Sequence, residues 1–223
     1  MKQILAEEFE QLRGVLNFLY AARSGERAGS SPESLPLDRL KSRFCADDGW
    51  RRVERSLADQ SHQEAIYACN ELRMRVIATA LSFQGIEGSG RNDPEVENII
   101  LDVGPAVHCT GGVSYTNVQG LKVIVLPKLE HEEQAHGVYK DFLHIEENAS
   151  PWASWVIDCS LVEQFPTLLL ANVVAYAGRL RKMNRDLLLY WVRPEIFSEV
   201  QLPRMIEFFR LERRAGLLFS RRI

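Results

Sequence analysis

The chain has 223 residues, 46% of them hydrophobic, which is enough apolar material for the core of one large domain or two small ones. Its formal net charge is only −3, without the basic surplus typical of nucleic-acid-binding proteins, so we expect no nucleic-acid partner. No segment approaches the ~18 consecutive apolar residues of a membrane-spanning helix, so we expect no membrane partner either.

The cysteines and the first residues indicate a compartment. The four cysteines stand far apart and form no Cys-x-x-Cys pair, which argues against a zinc site and against a disulfide framework. The start of the chain carries Glu7 and Glu8 where a signal peptide has an uninterrupted apolar core. We therefore expect a soluble, cytoplasmic protein with reduced thiols. The cysteines are Cys45, Cys69, Cys109 and Cys159.

The first 104 residues predict a helical bundle. Apolar residues recur at helical spacing over 3–22, and Ser61 with Glu64 fits the capping box at the start of a long helix. No acids, histidines or cysteines converge on one face, so the pattern names no role for this part. We expect residues 1–104 to form one module and 105–112 to be a linker. Shorter helices are predicted near 37–44, 50–57 and 94–103.

The pattern changes period in residues 113–223. Short β-rich runs alternate with helical segments, which predicts crossover connections and a mainly parallel sheet flanked by helices. The basic C-terminal end, with Arg210, Arg213, Arg214, Arg221 and Arg222, is interpreted as a solvated face or tail. In chain order we predict strands at 113–118 and 121–126, a helix at 131–147, a strand at 155–160, a helix at 166–182, a strand at 186–192, a helix at 194–201 and a strand at 206–211.

One strand-to-helix junction is the most informative stretch. The run Trp155–Ser160 is β-rich, and Pro166 suits the first position of the helix that follows because its missing N–H has no partner there. This places Thr167 in the first helical turn. A hydroxyl in that turn lies among free backbone N–H groups, which would stabilise a phosphate attached to it. The alternative is a plain helix start.

The order of elements and several local motifs resemble the STAS family, the sulfate transporter and anti-sigma factor antagonist domain. The segment Val156-Ile-Asp-Cys-Ser160 is similar to the family's strand ending in Asp-x-Ser. Val192-Arg-Pro-Glu-Ile196 is similar to the turn into its third helix. The resemblance covers about residues 113–212, half of the chain. It implies a mixed, mainly parallel sheet flanked by helices and a non-enzymatic regulatory role through protein–protein binding.

The resemblance also implies functional residues. The family's phosphorylated Ser or Thr corresponds to Thr167, although Pro166 stands where the family usually has Asp. A partner-binding surface is expected around Phe165, Pro166 and Arg193. The implied partners are a kinase, an anti-sigma factor or other STAS-like subunits, and no cofactor is implied. A helical module ahead of such a domain is similar to the arrangement in stressosome scaffold proteins.

Metal and nucleotide motifs are not supported by the spacing. His131 and His136 are five residues apart, so on a helix they point about 140° away from each other and do not form the two-histidine face of a zinc protease. Gly85, Gly88 and Gly90 do not follow a strand, so they do not predict a dinucleotide-binding loop. We expect neither a metal nor a cofactor.

Two alternative functions stay open. The first is a small-molecule-binding protein or enzyme with a pocket between the two halves, using Asp158 and one of His108, His131 or His144. In that case Asp158 would act as a base or ligand; otherwise it caps the turn after its strand. The second is a purely structural assembly component, a homo-oligomer whose exposed helix faces pair between chains.

Overall fold

The computed structural model describes residues 2–24, 40, 44, 47–85, 103–118, 121–129, 132–148, 153–185, 187–190, 211–214 and 217–220. The chain divides into two compact units, Met1–Val103 and Gly104–Ile223. Among the described residues, none of the helices has the length and apolar character that a membrane crossing requires.

Three helices are described in the first unit: α1 (Lys2–Ser24), α2 (Asp48–Ala58) and α3 (His62–Gly85). Both α1 and α2 pack against α3. Helix α3 begins directly after Ser61, as the capping box predicts. Most of its middle is buried, including Arg73, and one side with Glu71 and Arg75 is only partly buried. The helix predicted at 94–103 lies outside the described residues, apart from Val103.

Polar contacts fix α2 on α3. The carboxylate of Asp47 caps α2 by accepting the N–H of Gly49 at 2.8 Å, and it also forms an ion pair with Arg75 of α3. Further along, Arg52 donates to Glu71 at 2.6 Å. The capping carboxylate therefore ties the start of α2 to its neighbour.

The second unit is built on one mixed sheet, in which the strands lie in the order β1-β2-β3-β4-β5-β7-β6. β3, β4 and β5 are parallel to one another, and every other pairing is antiparallel. The prediction of a mixed sheet flanked by helices is confirmed. The strands are β1 (Val107–His108), β2 (Ser114–Val118), β3 (Leu121–Val125), β4 (Ser154–Asp158), β5 (Leu187–Tyr190), β6 (Leu211–Arg214) and β7 (Leu217–Ser220).

The prediction of a mainly parallel sheet is wrong for the described strands. After β5, the chain adds the antiparallel hairpin of β6 and β7, and β7 pairs with β5. Only two residues join these strands, and a two-residue connection can link only antiparallel neighbours. Arg213 and Arg214, interpreted as part of a solvated face or tail, belong to β6. The helix predicted at 194–201 lies outside the described residues.

Part of the segment interpreted as a linker belongs to the sheet. Val107 and His108 form β1, which pairs with β2. The turn between these strands packs closely on α4 (Glu132–Glu147), because a Cβ on Gly111 would lie 2.4 Å from the carbonyl of Gly137. On the same helix, Asp141 accepts the N–H groups of Gly111 at 2.9 Å and Val113 at 3.1 Å. A side chain on α4 therefore holds the first turn of the sheet.

The main core lies between one face of the sheet and two helices, α4 and α5 (Thr167–Lys182). An aromatic cluster joins the two helices to the sheet: Tyr176 of α5 stacks on Trp155 of β4 at 5.1 Å between ring centroids, and Phe142 of α4 contacts both. Such ring pairs add to the stabilisation from buried area alone. This packing fixes which side of α5 is turned away from the core.

Candidate partner-binding surface at the end of β4

Asp158 ends β4 and shapes the turn that follows it. Its carboxylate is fully buried and accepts the N–H of Ser160 at 2.8 Å, while its carbonyl accepts the N–H of Leu126 at 3.3 Å. Cys159 N–H donates to the carbonyl of Tyr190 at 2.9 Å, which ties the turn to β5. The turn-capping role weighed for Asp158 is therefore present in the structure.

The segment between the turn and α5 contains both buried and exposed residues. Val162 is buried and forms an isolated parallel bridge with Leu129. Glu163 and Gln164 are exposed. Phe165, predicted to bind a partner, is only 4% exposed and belongs to the main core. The ring therefore offers little contact area to another protein, and a role for Phe165 in partner binding stays a prediction.

Helix α5 begins one residue later than predicted. Pro166 is the N-cap, with extended backbone angles and no capping side-chain hydrogen bond, and Thr167 is the first helical residue. The carbonyl of Pro166 accepts the N–H of Leu170 at 3.0 Å. Thr167 is exposed, as the first-turn prediction requires. The first amides of a helix have no intrahelical acceptor, so an anion on Thr167 would meet free donors.

The solvent-facing side of α5 carries no charge over three turns. Thr167, Ala171 and Ala175 are exposed, and the sequence has no charged residue from Thr167 to Gly178. Leu168, Leu170 and Val174 are only partly buried at the margins of this strip. Solvent-facing sides of helices usually carry charged or polar residues, so this composition is unusual for a surface bathed in water. We call the exposed side from Thr167 to Gly178 the α5 face.

Ionic groups border the α5 face at its C-terminal end. Arg179 donates to Glu146 of α4 at 2.6 Å, and Tyr176 donates to the same carboxylate at 3.2 Å. Burial and the charge of Glu146 both raise the pKa of Tyr176, so its phenol stays protonated and remains a donor. Arg181 and Lys182 are exposed beyond them. The face is thus uncharged along its length and basic at its end.

The catalytic constellation considered for an enzyme is not assembled among the described residues. His108, Ser114, Val125 and Asp158 form one row across the sheet, which puts His108 three strand spacings, roughly 14 Å, from Asp158. His108 instead contacts Ser114, 2.8 Å away. His144 is exposed on α4, which covers the sheet face opposite to the Asp158 side chain. His131 and Arg193 lie outside the described residues.

Lys122 is a buried cation that periodicity alone did not single out. It lies in β3, is fully buried, and its Nζ has no hydrogen-bond partner in the described part of the chain. The ammonium lies 4.5 Å from the ring centroid of Tyr115. Burial lowers the pKa of Lys122, and burial also raises the pKa of nearby Cys109 to about 11. Burial therefore favours the neutral thiol of Cys109 at neutral pH over a thiolate that would pair with Lys122.

Metal ligands are likewise not grouped: within the ranges that the structure describes, no three His, Cys, Asp or Glu side chains are placed to hold an ion. No protein-family model matches the chain, and no curated protein matches it significantly.

Proposed function

We propose that this chain is a non-enzymatic regulatory protein that acts by binding another protein through the α5 face. The observation that carries the proposal is the absence of charge on the exposed side of a helix from Thr167 to Gly178. An apolar or small side chain gains free energy when a partner removes it from water, and an uncharged face has no ion to desolvate. Charges are depleted in the cores of protein–protein interfaces for this reason.

We propose further that residues 113–212 form an STAS-like domain preceded by a helical bundle, and that the protein works in the cytoplasm as an anti-sigma factor antagonist or signalling scaffold. Support comes from the hairpin of β2 and β3 followed by two crossovers through α4 and α5 to parallel strands. The strand ending in Asp158 and the exposed threonine at the next helix start add to it. The implied partners are a kinase, an anti-sigma factor or other STAS-like subunits.

Phosphorylation of Thr167 is the proposed switch. The hydroxyl is exposed at the first helical position, and Pro166 supplies no side-chain cap to the helix. A phosphate there would carry about two negative charges at the positive end of the helix dipole, so it would stabilise α5 locally. The same charge would make the edge of an otherwise uncharged binding surface strongly negative. Binding is therefore expected to respond to phosphorylation while the fold does not.

Affinity capture from native extract tests the proposal. The wild-type chain is compared with Ala171→Arg, which places a charge in the middle of the α5 face, and with His136→Arg, which adds the same charge at an exposed position of α4. We expect a protein that is retained by the wild type and by His136→Arg and is lost with Ala171→Arg. Equal capture by all three chains would refute the proposal. Mass spectrometry of the chain after incubation with any protein kinase found among the captured proteins tests phosphorylation of Thr167 separately.

A further inference from the structure

We propose that the resting occupant of the α5 face is the α5 face of a second copy of this chain, in an antiparallel twofold pair. This inference rests on the proposed function, because it names the partner of the same surface. Three observations carry it: the distribution of charge along the surface, the placement of Gly178, and the symmetry of the side chains about the middle of the helix.

The charges are arranged for an antiparallel pair. Exposed Glu163 precedes the N-terminal end of the face, and exposed Arg181 and Lys182 lie at its C-terminal end, with no charge between Thr167 and Gly178. A parallel pair would place like charges together at each end. An antiparallel pair places the acid of each copy beside the bases of the other, twice by symmetry.

Packing against the part of the chain that the structure describes does not explain Gly178. It lies inside α5, where glycine is the least favourable residue after proline. A Cβ at this position would meet nothing within 4 Å among the described residues, so none of those neighbours requires glycine there. A missing side chain on an exposed helix side lets the backbone of another helix approach closely.

In an antiparallel pair, small side chains of one α5 face would lie opposite small side chains of the other. With 100° per residue, Thr167, Ala171, Ala175, Gly178 and Lys182 lie within ~80° of one another on the helix surface. A twofold axis between Val174 and Ala175 places Ala171 opposite Gly178 of the partner subunit. The same axis places Thr167 opposite Lys182 of the partner subunit. Leu168, Leu170 and Val174, partly exposed at the margins, would then pack around the contact.

The contact is expected to be weak and reversible. A pair of helices with 16 residues each buries less than the ~1,200 Å² of a standard stable interface. The pairing would therefore be in equilibrium with a monomer whose α5 face is free for another protein. Self-association would compete with the binding proposed above.

Sedimentation equilibrium of the full chain from about 1 to 500 µM tests the pairing. We expect wild type and His136→Arg to dimerise, and Ala175→Arg to weaken dimerisation at least ~100-fold, because two unpaired charges would meet near the axis. Glu163→Lys alone and the double change Arg181→Glu with Lys182→Glu alone should each weaken the dimer. Combining all three charge reversals should restore it. Circular dichroism verifies that each variant keeps its helices.

Several results would overturn the inference: a monomeric wild type at 500 µM, an Ala175→Arg dimer of unchanged affinity, or no recovery when the charge reversals are combined. The proposed function is judged separately by the capture experiment. Suppose that the wild type is monomeric but captures a protein that Ala171→Arg does not capture. This result would refute the self-pairing and leave the partner-binding role in place. A monomer whose capture is unaffected by Ala171→Arg would refute both.

Discussion

Asp141, on α4, accepts the backbone N–H of Gly111 at 2.9 Å, although 30 residues separate them. A second bond from Val113, at 3.1 Å, closes the same turn onto the helix. The carboxylate is nearly fully buried, and burial raises its pKa while the two N–H donors lower it. The first turn of the sheet thus depends on a buried acid from a different element.

The close approach at this turn predicts that Gly111→Ala is destabilising. Its new methyl group would lie 2.4 Å from backbone atoms of Gly137, and backbone cannot move aside as a flexible side chain can. We expect the free energy of unfolding to fall by about 1–3 kcal/mol. Urea denaturation at ~1 µM measures the change.

Gly178→Ala is the matched control for that substitution. A Cβ at Gly178 meets no described atom within 4 Å, and alanine favours a helix interior more than glycine does. We expect the chain to gain up to about 1 kcal/mol. Similar losses at both positions would contradict the packing described for the turn.

Truncation is predicted to destabilise the chain strongly at Phe165 and hardly at all at Thr167. Phe165 is buried in the main core, so Phe165→Ala should lower the free energy of unfolding by about 3–4 kcal/mol. Thr167 is exposed, and Thr167→Ala should change it by less than about 0.5 kcal/mol. Thermal or urea unfolding distinguishes the two. A loss below about 1 kcal/mol for Phe165→Ala would contradict the burial of its ring in the core.

Asp158 is predicted to act through its acceptor oxygen. Asp158→Ala removes the acceptor for the buried N–H of Ser160 and should lower the free energy of unfolding by about 1–3 kcal/mol. Asp158→Asn keeps an oxygen in the same place and should be clearly milder. If Asp158→Asn is as destabilising as Asp158→Ala, the negative charge contributes more to stability than the hydrogen bond to Ser160 does.

Lys122 predicts a pH-dependent difference in stability. Burial lowers the pKa of this ammonium below 10.5 in the folded chain, so the unfolded chain binds more protons between the two values. The Lys122 contribution to the free energy of unfolding therefore rises with pH in that window and is unfavourable below it. Lys122→Met should stabilise the chain by about 1 kcal/mol or more at pH 7.

The measurement for Lys122 is the difference between wild type and Lys122→Met from pH 7 to 10.5. Burial raises the pKa of Cys109 from 9.0 to about 11 and also raises that of Tyr115, so both groups lose stabilisation as pH rises through the same window. The charge of Lys122 also lowers the pKa of Cys109, so the difference between the two chains reports the lysine together with this coupling, and both act in the same direction. The difference should shrink as pH rises, and a constant or growing difference would contradict the lowered pKa.

Much of the second unit was predictable because its periodicity is strong. The strands around Ile124 and Ile157 and the helix after Pro166 lie where alternation and helical spacing place them. The burial of Lys122 was not predictable, because β3 lies between two other strands and is covered on both faces, so a polar residue there has no solvent side.

The candidate site was predicted only in part for a similar reason. Exposure of Thr167 follows from its place at a helix start, whereas Phe165 follows two polar residues in a loop, and its burial depends on tertiary packing. Strands β6 and β7 have four residues each, and neither shows the alternation of apolar and polar residues that predicts a strand. Short charged strands are defined by their neighbours more than by their own sequence.

The most direct test of the α5 face is site-specific photo-crosslinking in cells that contain the native partners. A benzophenone side chain replaces Ala171, in the middle of the face, or His136, an exposed control on α4. The account predicts a discrete covalent product between position 171 and a protein, either another copy or a different chain, and none from position 136. Products of equal yield from both positions, or none from position 171, would contradict the claim that the α5 face binds protein.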